Sequence, residues 1–343
     1  MPAKYLRHPT IPFQVKTNRP VSDILASMAA TGFQGKTLGE AYLVWREMLR
    51  QKKIVVWLGI SGAIVPAGMR PIISWLVANR FVDVIVSTGA QVFHDAAEAL
   101  GVRHYQGSPS LDDKALLKAG VDRFYDVLVL ETAQRQVDRQ VQQFIESLNP
   151  DYQYSSREFL YLLGMFIKKR SRQSNSFLVA AAEAGVPVFA PALADSSIGY
   201  SFVLARRNQQ PRFIDQMKDI EETAALAKAS HRSGVVYLGG GVPKNFIQQT
   251  ELLNNILGRD LRGHEYAIQI TTDTPQFGGL SGCTFQEAQS WGKIAGQAKM
   301  VQCFCDVTIA LPLLAQGLSD DLGVAKRRKK PVFDWSGEKM EII

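Results

Sequence analysis

The chain has 343 residues, 46% of them hydrophobic and 21% charged, with 39 Lys and Arg against 32 Asp and Glu for a net charge of +7. These proportions are those of a globular chain and exclude a mainly disordered one, which would carry too little Leu, Ile, Val and Phe to close a core. The 3 cysteines exclude a disulfide framework, and no apolar run reaches the roughly 18 residues of a membrane span.

The opening stretch, residues 1–19, is basic without the apolar run of a signal peptide, so a cytoplasmic location and no membrane partner are expected. Apolar runs at 54–58, 82–87, 124–130, 187–191, 235–238, 266–271 and 301–307 then read as strands buried on both faces, as parallel strands covered by helices are. Between them, 95–100, 156–168, 176–184 and 220–231 suit helices. The alternation predicts an α/β protein with a doubly wound, mostly parallel sheet and flanking helices. No repeat or low-complexity linker divides the chain, so one domain over 1–343 is expected, with a basic N-terminal arm (about 1–19) and a basic C-terminal segment (about 319–343). Cys303 and Cys305, two apart, would share a strand face and pack; no second Cys or His cluster completes a metal site. The densest basic block, 326–330, is expected to be solvated, and without an aromatic-rich or zinc motif it implies no nucleic-acid partner.

Three strand ends are rich in glycine. The first runs into Gly59-Ile60-Ser61-Gly62, the second into Thr88-Gly89-Ala90, and the fifth into Gly239-Gly240-Gly241, after which Val242-Pro243-Lys244 opens a helix. Glycine lets the backbone approach a phosphate, and helix N-termini favour anions. None matches G-x-G-x-x-G, and a tight turn without a ligand explains any one of them equally well. Several in one chain point to a nucleotide site at the carboxyl ends of the strands.

Further motifs carry a family resemblance. Leu238-Gly239-Gly240-Gly241-Val242-Pro243-Lys244, Glu287-Ala288-Gln289-Ser290-Trp291-Gly292-Lys293-Ile294, and Asp306-Val307-Thr308 ahead of Leu311-Pro312-Leu313-Leu314 resemble deoxyhypusine synthase. So do Thr31-Gly32-Phe33-Gln34, the turn after Trp57-Leu58-Gly59, and the run from Pro187 to Asp195. The resemblance implies a Rossmann-like, NAD-dependent homotetramer with sites between paired subunits. It implies a polyamine donor such as spermidine, oxidised beside its secondary amine and captured by a lysine as an aminobutyl imine. An amine acceptor, either a small amine or a protein lysine, then displaces the lysine, and the same NADH reduces the new imine.

Carried over by residue, Lys293 is the nucleophile, beside the substrate-binding residues Glu287 and Trp291. A lysine attacks an imine only when neutral, and Trp291 can exclude water and stack on a cationic amine. Thr284-x-x-Glu287 is also a capping box, a competing use of the same carboxylate. On an unbroken helix Lys293 turns roughly 120° away from Glu287; a break at Gly292 would let the three converge. The resemblance places Ser61, Gly62, Thr88, Gly89, Asp195, Gly239, Gly240, Thr272, Asp273, Ser281, Asp306 and Val307 against NAD, with turn or cap formation the competing role of Asp195 and Asp306. The remaining substrate positions depart from the family: Tyr200 and Leu280 replace amine-binding acids, Asn245 a histidine, and Gln249 an asparagine. Asp273 replaces a small residue, and Phe93 a glutamate near the nicotinamide, with His94 beside it as a substitute base. A polyamine needs carboxylates to replace its hydration. The pattern is that of a deoxyhypusine-synthase-like transferase with an altered donor or acceptor. An NAD-dependent amine dehydrogenase and a non-catalytic NAD-binding homologue are the alternatives.

Overall fold

The computed structural model describes residues 5–171, 175–208, 210–279, 281–321, 323, 328–336 and 340–343. Six strands pair in parallel in the order Val188–Phe189, Val84–Ser87, Ile54–Ile60, Arg232–Leu238, His264–Thr271, Ile294–Phe304. Numbered along the chain this order is 3-2-1-4-5-6, the Rossmann-like doubly wound arrangement. Its switch point lies between Ile54–Ile60 and Arg232–Leu238, where Trp57 pairs with Val235.

Strand alternation divides the core in two. Val56, Leu58, Ile60, Ile85, Val236, Leu238, Ile268 and Ile270 face one helical layer. Val55, Trp57, Val84, Val86, Val235, Tyr237 and Ala267 face the other. Every residue of Ile54–Ile60 is buried, which is why the strand carries no polar face. Cys303 is buried in the first cluster and Cys305 packs against it, the packing role expected of both.

Helix starts follow their caps. The Ser155 hydroxyl accepts from Glu158 N–H and the Glu158 carboxylate from Ser155 N–H, which opens Ser156–Arg170. Ser176 and Asp215 cap Phe177–Ala184 and Gln216–Ala229. The helix expected at 95–100 is longer, Gly89–Ala99, because the Thr88 hydroxyl caps it six residues earlier.

Two expected strands are corrected. Residues 124–130 are not a buried strand. Val121–Phe124 and Val127–Leu130 form an antiparallel hairpin that pairs with His104–Gln106 in a separate three-stranded sheet. The intervening Tyr125, at φ +58°, supplies the positive-φ backbone that a two-residue hairpin loop favours. The strand expected at 301–307 is Ile294–Phe304. It stops because Asp306 Oδ1 accepts from Thr308 N–H (2.7 Å), capping the helix Val307–Ser319.

The basic block is corrected in part. Lys329 and Lys330 are exposed and 326–327 lie outside the described residues, but Arg328 is buried. Its guanidinium grips both Asp83 oxygens at 2.7 Å. Asp83 also receives Arg80 (3.2 Å) and Val56 N–H (2.9 Å). Among the described residues no helix is long and apolar enough to cross a membrane. Asp83→Asn leaves two guanidinium groups short of their counter-charge, and breaking a buried pair in this way costs about 3–5 kcal/mol. Urea unfolding should show that loss; a midpoint unchanged from the parent protein would contradict it.

Candidate active site

One cleft of about 1160 Å³ opens at the carboxyl ends of the strands around the switch point. Ser61 and Gly62 line it after the first strand, Gly239 and Gly240 after the fourth, Thr272 and Asp273 after the fifth, and Asp306 and Val307 after the sixth, with Ser281 beside them. Nine of the twelve residues expected against NAD therefore share one wall system. Thr88, Gly89 and Asp195 are not among its lining residues. They sit one strand further on, where Thr88 N–H donates to Ile60 O (3.2 Å) and a Cβ on Gly89 would lie 2.7 Å from Ser196 Oγ.

The glycines are constrained by packing. Gly239 holds φ +81°, and a Cβ there would lie 2.4 Å from Ser61 Oγ. A Cβ on Gly240 would meet Ser281 Oγ at 2.3 Å. Ser61 Oγ accepts from Gly240 N–H (2.8 Å) and donates to Leu238 O (3.2 Å). Gly62 and Gly241 differ: both have positive φ and nothing within 4 Å of a built Cβ. They leave open backbone on the cleft at the start of the helix Gly241–Ile256, a cradle that fits a dinucleotide pyrophosphate. Asp306 Oδ1 is engaged in its helix cap, so the competing cap role is real.

Lys293 and Trp291 come together, and Glu287 lies one turn earlier on the preceding helix. The helix Phe285–Ser290 ends at Trp291, and Gly292 turns the chain at φ +68°. Lys293 N–H then donates back to Ala288 O (3.1 Å). The turn brings Lys293 Nζ to 5.2 Å from the Trp291 ring centroid, with Lys293 9% and Trp291 57% exposed. The Thr284 hydroxyl caps the helix by accepting from Glu287 N–H (3.0 Å), and the Glu287 carboxylate acts on the Cys283 thiol and on Lys244.

Lys244 is the residue that sequence reasoning missed. Its side chain is buried, and Nζ donates to Gln269 Oε1 (2.8 Å), Cys283 O (2.5 Å) and Ser281 O (3.3 Å). Burial lowers its pKa to about 8; Cys283, Glu287 and Asp273 oppose that shift and the Lys293 charge adds to it. Asp273 and Ser281 line the cleft, and Lys244 reaches it through Ser281 O; Lys293, Trp291 and Glu287 are not among its lining residues. Gln269 Nε2 donates to Gly239 O (3.0 Å) and Ser281 O (2.9 Å), and Gln302 Nε2 donates to Gln269 Oε1 (2.9 Å). A Gln inside each of two apolar strands was the available signal.

Asn245 and Gln249 lie on one face of the Gly241–Ile256 helix, half-buried and exposed respectively. Tyr200, 65% exposed on Ser197–Asn208, is not among the cleft residues. Leu280 lies outside the described residues. Phe93 is in the core. His94 is buried too, with its ring 5.0 Å from Phe124 and 5.4 Å from His104. Burial first, and the His104 charge second, push its pKa down to about 4. Among the described residues no group of three His, Cys, Asp or Glu is placed to hold a metal.

Sheet order and cleft together define a Rossmann-like α/β protein with its site at the strand carboxyl ends. Residues 23–318 match the family described as deoxyhypusine synthase. A Methanosarcina mazei protein named "Probable deoxyhypusine synthase 2" is 51% identical over 335 residues, covering 97% of this chain and 96% of the relative. An Archaeoglobus fulgidus protein of the same name is 52% identical over 307 residues, 90% of this chain and 99% of the relative. A solved structure of a candidate deoxyhypusine synthase from Entamoeba histolytica shares the fold, with TM-score 0.62 and 16% identity over 90% of this chain and 96% of that one. The chain belongs to the deoxyhypusine synthase family, and that membership makes it an enzyme, a transferase.

Lys244→Met removes the buried donor that three acceptors share. It should cost about 1–3 kcal/mol in chemical denaturation; equal stability would show that the network does not hold the loop. A second prediction concerns pH. Between about pH 6.5 and 4 the unfolded chain takes up a proton at residue 94 that the folded His94 refuses. The protein therefore loses stability as pH falls through that window, by at most about 1.4 kcal/mol for each pH unit crossed. Removing the group in His94→Gln should flatten that part of the stability–pH curve, and a curve of unchanged slope would refute the assignment.

Proposed function

We propose that this enzyme is an NAD-dependent transferase that moves an aminobutyl or related alkylamine group from a polyamine to an amine acceptor through an imine on Lys293. The observation that carries the reading is the Gly292 turn, which sets the buried Lys293 amine 5.2 Å from the Trp291 ring. The open backbone at Gly62 and Gly241 fits the pyrophosphate of NAD, with Asp273 and Asp306 on the same walls for ribose hydroxyls. When bound, NAD supplies a hydride acceptor for the donor carbon and returns that hydride at the end, so it is not consumed.

The chain's own groups do the rest. Glu287 accepts one ammonium end of the donor, and the Trp291 ring covers the cation and keeps water from the amine. The neutral Lys293 amine adds to the oxidised carbon, and the departing amine leaves with the proton. The acceptor amine then displaces Lys293. Tyr200 and Leu280 stand where the family has amine-binding acids, which supports a donor shorter or less charged than spermidine. Assembly as a cytoplasmic homotetramer, with sites between paired subunits, belongs to the same reading.

Borohydride added to enzyme, NAD and a polyamine panel should leave a secondary-amine adduct on Lys293, identified by peptide mass spectrometry and absent from Lys293→Arg. Little net NADH should accumulate at 340 nm while an acceptor is present. Sustained NADH accumulation with no adduct would replace the transferase with an amine dehydrogenase; no adduct and no NADH across the panel would leave a dinucleotide-binding homologue.

A further inference from the structure

The cleft at the strand ends is short of positive charge. Three carboxylates, Asp126, Asp273 and Asp306, line it, and among the described residues no Lys or Arg does. Arg70, two residues beyond the wall residue Gly68, is paired with Glu98 (2.8 Å). Yet the open backbone of Gly62 and Gly241 on the same walls fits a pyrophosphate. A cation stands behind those walls. Lys244 is the fourth residue of the helix Gly241–Ile256, and only 1% of it is exposed. Its Nζ donates to the carbonyl of Ser281 (3.3 Å), a residue that lines the cleft, and to Gln269 Oε1 and Cys283 O. Gln269 Nε2 in turn donates to Gly239 O (3.0 Å), so the same ammonium braces the glycine turn.

Three acceptors need three N–H donors. A lysine has three only as the ammonium; the neutral amine has two and turns a lone pair towards an acceptor. Burial nevertheless pulls the pKa of Lys244 down to about 8. Of the charged and titratable groups that face it, Cys283, Glu287 and Asp273 favour the ammonium and Lys293 disfavours it. The Phe285 ring centroid lies 5.6 Å from Nζ, and burial pushes the Cys283 thiol up. A negative charge brought near such a group favours its protonated form.

We propose that Lys244 is the buried counter-charge of the cofactor: its ammonium attracts the pyrophosphate through the Ser281 wall, and cofactor binding in turn fixes the proton on Nζ. The inference rests on the dinucleotide reading of the cleft. Lys244 is a positioning residue, because it touches Ser281, Cys283 and Gln269 and reaches the cofactor only through them. Away from water its charge is weakly screened, so one intervening residue does not cancel it. The proton comes from water or buffer and adds to the lone pair of the neutral fraction. Binding that favours the protonated form must weaken as pH rises past the pKa of the unliganded group. The window therefore opens at about pH 8, where the unliganded Lys244 loses its proton.

Titration calorimetry of NAD into the intact protein at about pH 8.5, in buffers of different ionisation enthalpy, tests this. A roughly tenfold gain in the proton affinity of Nζ takes up about half a proton per NAD bound and lowers NAD affinity about five- to tenfold between about pH 7 and 9.5. In Lys244→Met the uptake should vanish, with NAD affinity weaker and flat with pH. Lys244→Arg keeps a permanent charge and should bind without uptake. Cys283→Ser should keep the uptake. Uptake that survives in Lys244→Met, or is lost in Cys283→Ser, would overturn the assignment. Should neither Lys244 variant fold, the parent protein decides: the fall in affinity with pH supports the proposal, and a flat profile overturns it. A parent protein that binds NAD without uptake removes this inference alone. One that binds no NAD at millimolar concentration removes the dinucleotide reading and this inference with it.

Discussion

The buried ammonium of Lys244 is the interaction on which the site depends. A charge taken out of water is tolerated only where acceptors replace its hydration. Here the side-chain oxygen of Gln269 and the carbonyls of Ser281 and Cys283 do so. Gln269 passes the constraint on, because its amide nitrogen donates to Gly239 O and Ser281 O. One cation therefore ties the glycine turn after the fourth strand, the loop through Ser281 and Cys283, and the middle of the fifth strand into a single rigid unit. Gln302 extends the unit to the edge strand through Gln269 and Cys283 O. In low dielectric such a network is strong when satisfied and costly when broken.

That unit joins two regions of different chemistry. On one side are the glycine-walled surfaces suited to phosphate and ribose. On the other are Lys293 and Trp291, brought together by the reversal at Gly292, with Glu287 on the helix before it. A Cβ there would lie 2.5 Å from Leu261 Cδ1 as well as needing a positive φ, so sterics and backbone conformation both demand glycine. Lys244 links them, bonded to Ser281 O on the cleft side and to Cys283 O at the start of the Phe285–Ser290 segment.

Electrostatics follow the same plan. Two lysines lie close enough for each other's charge to matter, and the Glu287 and Asp273 carboxylates oppose them. On the opposite wall the small antiparallel sheet brings His104 to the cleft, and the Arg70–Glu98–His104 chain crosses from the helix after Met69 to that sheet.

The sheet and the glycine turns were legible from sequence because both are local. A strand covered on two sides shows as a continuous apolar run, and a backbone that must turn through positive φ shows as glycine; the break at Gly292 could be anticipated on the same ground. Residues 124–130 misled because a hairpin whose Tyr125–Asp126 loop interrupts two short apolar segments has nearly the composition of one buried strand. At Asp306 the strand-to-helix boundary turned on a cap of two residues inside an apolar run. Arg328 looked like part of a solvated basic block, and Lys244 like an ordinary helix-start lysine. Their partners, Asp83 for one and Gln269, Ser281 and Cys283 for the other, lie far away in sequence. His104 and Glu98 are six residues apart, yet only the packing of the hairpin brings His104 to the cleft wall. The sequence by itself determined which segments are apolar on both faces, where the backbone must turn, and the family motif at Lys293. Which charges are buried, and what they face, was decided by the tertiary structure alone, because the stability of a buried charge depends on acceptors delivered by other segments and leaves no periodic mark on its own.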